Sequence, residues 1–277
     1  MNKTLFLILL LAISLNCIKI HATGKYQVIW IYPNNSNRTL EMEKIDSCLR
    51  KGGMVSQRFQ LDFSSLESTV EQQRDSLHLF LGRHVQAEKV ILFPVGECSY
   101  ATMLEALDND RVKMLVTLSA VFLAGDDYVY NRLSLCENVK LQESHNLWLE
   151  KTNRLRCIHE MIQRVRDGKD TRKNKKGKVS QMAKTYLYSK LGRSIIRYDS
   201  REVLKSLHCP IFAIYSEKDV SWDFLSHQEF LQFQLNKTLV SYETFGPMQY
   251  DGELLRPKWL NILNERIMNF FKTINDD

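Results

Sequence analysis

Lys89-Val-Ile-Leu-Phe-Pro-Val95, Gly96-Glu-Cys-Ser-Tyr-Ala101, then Thr102-Met-Leu-Glu-Ala-Leu107: an unbroken apolar run, a small polar turn and a helical stretch follow one another without a spacer. Continuous rather than alternating hydrophobicity marks a strand buried on both faces. The same pattern recurs on either side. Tyr26 to Tyr32 is an apolar run closed by Pro33-Asn34-Asn35, Leu40 to Lys51 has helical spacing and stops at Gly52-Gly53, and Met54 to Asp62 reads as a second strand. Leu66 to Leu81 is helical and Val112 to Leu118 is a further strand. Strands alternating with helices predict an α/β fold with a mostly parallel sheet covered by helices on both faces.

The alternation lapses between Asp126 and Arg197. There Leu141 to Arg166 and Met182 to Leu191 have helical spacing, and no strand signal appears. It resumes with strand Pro210 to Tyr215, a helix around Trp222 to Gln234, strand Thr238 to Thr244 and a closing helix, Trp259 to Thr273. About 70 residues is too long for a structureless loop, so a helical cap inserted at about 126–197 is expected. Between Lys151 and Lys190 there are 13 Lys+Arg against 3 Asp+Glu, so this insert holds the whole basic excess of a chain whose net charge is +6. Its peak, Lys169 to Lys178, is read as a solvated loop tip or as a patch for an anionic ligand or surface. No aromatic residues interleave these lysines, which argues against nucleic acid.

Of the 277 residues, the first 22 have the layout of a secretory signal: a basic start, an apolar run from Leu5 to Leu15, and small or polar residues through His21-Ala22-Thr23. The expected mature chain is 23–277, exported and without a transmembrane span. Lipid anchoring at Cys17 is the less favoured alternative, because Ser14-Leu15-Asn16 fits a lipoprotein signal poorly. Cleavage leaves Cys48, Cys98, Cys136, Cys157 and Cys209, an odd count that demands at least one free thiol. Sequence leaves a Cys136–Cys157 pairing open. With no C-x-x-C pair or Cys/His cluster, no metal or other cofactor is expected.

Gly96 to Ala101 after a strand and before a helix has the layout of a nucleophile elbow, with Cys98 as nucleophile. The residues two before and two after the nucleophile must be small; Gly96 complies and Tyr100 does not. Ser99 fits worse, because Glu97 then takes the first small position. Pro210 to Asp219 is an apolar strand running into a polar turn with a carboxylate. On these residues, together with Arg197-Tyr-Asp-Ser-Arg-Glu-Val-Leu-Lys-Ser-Leu-His-Cys-Pro210 and Val116-Thr-Leu-Ser-Ala120, the chain from about Tyr26 to Phe271 resembles an α/β-hydrolase of the exported serine-esterase or serine-aminopeptidase-like branch.

The resemblance implies Cys98 in the place of the serine and Asp219 as the acid that orients a histidine. In the stretch where that histidine belongs, Phe245 to Tyr250, Gln249 stands instead, and the segment after the first strand, Pro33 to Asn37, lacks the glycines of an oxyanion loop. The last histidine, His227, lies eight residues past Asp219 on the helix leaving that strand and is expected to point away. Without a base, a factor of roughly 10²–10⁴ in rate is forgone, and a glutamine moves no proton near neutral pH. Two readings follow. One is an impaired hydrolase that binds a small-molecule or peptide ligand, anionic in view of the cap's charge, or a protein partner. The other is an active Cys-dependent hydrolase of esters, thioesters or aminoacyl bonds, with His145 or His159 of the cap as base. His78, His84 and His208 are expected to be ordinary surface or core residues. At a helix N-terminus, and provided Tyr100 and the cap leave it accessible, Cys98 is expected to be the most readily alkylated cysteine.

Overall fold

The computed structural model describes residues 26–34, 54–63, 65–141, 147–169, 179–216 and 240–245, together with isolated helical positions between 43 and 50 and at 265, 267 and 269. Its elements run β1 (Tyr26–Pro33), β2 (Val55–Leu61), α1 (Val70–His84), β3 (Lys89–Pro94), α2 (Cys98–Asp108) and β4 (Val112–Leu118). Then come α3 (Gly125–Leu141), α4 (Leu147–Arg166), α5 (Gln181–Tyr188), α6 (Lys190–Arg197), α7 (Ser200–Ser206), β5 (Ile211–Ser216) and β6 (Val240–Phe245). The six strands form one sheet in the order β2-β1-β3-β4-β5-β6, and every neighbouring pair is parallel. The expected α/β sheet is therefore present.

Period-two alternation divides each central strand between two cores. On one face Ile29, Ile31, Val90, Leu92, Leu115, Ile211 and Ala213 meet α1, α2 and the apolar sides of the inserted helices. On the other, Val28, Trp30, Ile91, Phe93, Val116, Phe212 and Ile214 pack with Ile45, Leu49 and Ile267. Trp30 and Phe93 stack there across adjacent strands, ring centroids 3.8 Å apart. The indole N–H of Trp30 reaches the buried Asp46 carboxylate at 3.2 Å.

Helix α1 begins four residues later than its apolar spacing suggests, because Thr69 and Gln72 form a reciprocal capping box. Its other end is closed by Arg111, whose guanidinium donates to the carbonyls of Leu81, Val85 and Ala87. Helices α1 and α2 are clamped by a fully buried carboxylate, Glu105. It accepts from Asn109 Nδ2 at 2.7 Å, and His78 Nδ1 and Arg74 Nε approach it at 3.0 and 3.3 Å. His78 is thus a structural partner with a half-exposed ring.

Among the described residues, four helices, α3 to α6, lie within 125–197 between β4 and β5. The single helix expected from Met182 to Leu191 is broken at Ser189. Its hydroxyl donates to Tyr186 O at 2.6 Å and accepts from Gly192 N at 2.9 Å, ending α5 and starting α6 at once. Of the helix expected from Leu141 to Arg166, α4 covers Leu147–Arg166, whereas Leu141 closes α3, a helix that the spacing did not signal. Helix α7, capped by Asp199, is an element that periodicity did not signal.

The insert's two ends meet: Gly125 N donates to Tyr198 O at 2.9 Å. A Cβ at position 125 would lie 1.6 Å from Ile195 O, so only glycine permits this approach. Replacing Gly125 with Ala is expected to cost about 3 kcal/mol or more, because backbone has to move. Gly82→Ala in α1, where a Cβ meets nothing within 4 Å among the described residues, is expected to stabilise by about 0.4–1 kcal/mol. Urea unfolding of the two variants beside the parent checks both signs.

Candidate functional site

In this strand order β1 connects toward one edge of the sheet and β3 toward the other, so the carboxyl ends of β1 and β3 flank the point where open α/β sheets place their sites. The chain leaving β3 is held there on both sides. Val95 N donates to Ile31 O at 2.8 Å and Gly96 N to Leu118 O at 3.0 Å. Gly96 then takes φ +58°, Glu97 is already helical in its backbone, and Cys98 opens α2.

The turn expected around Cys98 therefore has its apex two residues earlier. A nucleophile elbow places its reactive residue at the sharp, strained position, and that position is held by Gly96. The shift removes the steric conflict with Tyr100, since the residue two beyond the apex is now the small Cys98. Cys98 itself is wholly buried, and burial pushes its thiol well above the ordinary range. The reactivity expected of Cys98 is conditional on access, and that condition is not met, since the thiol is enclosed although it lies in the first turn of α2. Ser99 is buried too. Its hydroxyl accepts from Val121 N at 3.0 Å and lies 2.8 and 2.9 Å from the carbonyls of Gly96 and Val121, pinning the turn to the segment that follows β4.

Aromatic rings and one ion pair join the turn to the insert. Tyr100 donates to Leu123 O at 3.2 Å and packs against Tyr198 and Tyr128, centroids 4.7 and 5.8 Å away. Glu97 carries its carboxylate to α3, where Tyr128 Oη and Arg132 Nη1 both donate to Oε1. Arg132 Nη1 lies 3.0 Å from Tyr128 Oη, and the guanidinium sits 5.1 Å from the centroid of the Tyr186 ring on α5. Sequence reading missed this group. Tyr128 and Arg132 have the i, i+4 spacing of neighbours on a helix face, but nothing in the sequence links them to Glu97.

Two other features lie at the same edge. Ser119, directly after β4, has φ 49°, the left-handed region that non-glycine residues rarely adopt. Its hydroxyl and that of Thr117 are buried and have no hydrogen-bond partner among the described residues. Asp219, Gln249, His227 and His145 lie outside the described residues, as do positions 170–178 of the basic run. His159 is exposed on α4, its ring edge-on to Tyr130 of α3 at 6.0 Å. His84 and His208 are exposed. Among the described residues no three His, Cys, Asp or Glu side chains are grouped so as to hold a metal ion.

Cys98, Cys136, Cys157 and Cys209 are all free thiols, so the Cys136–Cys157 pairing left open by the sequence is absent. Burial pushes the Cys209 thiol up to about 12. Limited iodoacetamide treatment at pH 7 is expected to label Cys136 and Cys157, both partly exposed, and to leave Cys98 and Cys209 unmodified until the protein is unfolded. Peptide mapping of the alkylated sites reads this directly.

No protein-family profile matches the chain, and no curated protein matches it significantly by sequence. Solved structures do. α/β-Hydrolase domain-containing protein 10 from mouse is similar with a TM-score of 0.53 and 16% identity, over 90% of each chain. The esterase domain of a Rhodothermus marinus protein gives 0.55 and 12%, over 90% of this chain and 87% of that one. Est1E from Butyrivibrio proteoclasticus gives 0.55 and 12%, over 91% and 89%. With a parallel sheet flanked by helices, an inserted helical segment and these structural neighbours, the chain has the fold of the α/β-hydrolases and esterases.

Proposed function

We propose that this protein is an exported, catalytically impaired member of the α/β-hydrolase fold that binds a ligand beneath its inserted helices. The observation that carries this reading is the glycine at the apex of the β3–α2 turn. A residue without a side chain offers no hydroxyl or thiol where the fold presents one. The nearest thiol, Cys98, is enclosed, and its raised pKa leaves little thiolate at neutral pH. Gln249 in place of a histidine adds the second deficit, since an amide moves no proton. Export rests on the signal-like first 22 residues, and no described helix is long and apolar enough to cross a membrane. The helices at 126–197 serve in this reading as a cap whose basic run favours anionic ligands.

Purified mature protein is expected to hydrolyse p-nitrophenyl esters no faster than a buffer blank, and Cys98→Ala is expected to leave that baseline unchanged. Brisk turnover abolished by Cys98→Ala would instead establish the Cys-dependent hydrolase.

Gly96→Ser is a second test. Among the described residues a Cβ there meets nothing within 4 Å, so the expected cost is that of the left-handed backbone, about 1–2 kcal/mol. The variant is expected to fold yet gain little esterase activity, because the base is still lacking. Circular dichroism and the same ester assay measure the two halves.

A further inference from the structure

We draw no further inference here: the strongest candidate, the groove between α5 and the segment joining β2 to α1, lined by Leu66, Glu67, Lys184 and Tyr188, carries nothing, because nothing in the structure shows what covers it.

Discussion

Two backbone hydrogen bonds, from Val95 to Ile31 and from Gly96 to Leu118, hold the end of β3 between its neighbours until it must reverse into α2. A strand clamped on both sides cannot bend gradually, so the reversal falls on one residue, and that residue takes a left-handed conformation that L side chains resist. In catalytic members of the fold the strain is accepted because it presents the nucleophile. Here glycine occupies the position and the strain is absent. The side chains that follow then serve other ends: Cys98 and Tyr100 enter the core, Ser99 ties the turn to Val121, and Glu97 reaches across to the insert.

The same clamp explains why the insert and the turn form one unit. Tyr100 of α2 packs against Tyr128 of α3 and Tyr198 at the exit of α6, and Tyr186 of α5 carries the Arg132 guanidinium on its ring. A ring at position 100 is incompatible with a small-residue elbow centred on Cys98, and fully compatible with a core that receives helices from above. Burial of these phenols pushes each of them above the ordinary tyrosine range, so none carries charge near neutral pH and the ion pair of Glu97 and Arg132 is the charged contact between turn and α3.

The fold was legible because parallel strands buried on both faces leave continuous apolar runs, and β1, β3, β4 and β5 each occupy such a run within a residue or two. Element ends were less legible. Ser189 and Thr69 decide boundaries through side-chain hydrogen bonds that hydrophobic spacing does not register. At the site, motif matching fixed on Cys98 because it resembles a nucleophile two residues after a glycine. The apex is set by where the sheet releases the chain, and that depends on pairing with β1 and β4, which sequence does not display. Tyr100 was the one local sign that the frame was displaced. The contact of Glu97 with Arg132 spans 35 positions and left no sign.

The meeting of Gly125 and Tyr198 bears on how the molecule assembles. β4 and β5 pair in parallel, so the end of β4 and the start of β5 lie at opposite edges of the sheet, and α7 with the residues after it carries the chain between those edges once Tyr198 is passed. The hydrogen bond from Gly125 to Tyr198 therefore closes the insert as a stem of its own, separate from the strand pairing. The entropy of closing the intervening segment is met at that one contact, and Gly125 is the residue that lets the two backbones approach so closely.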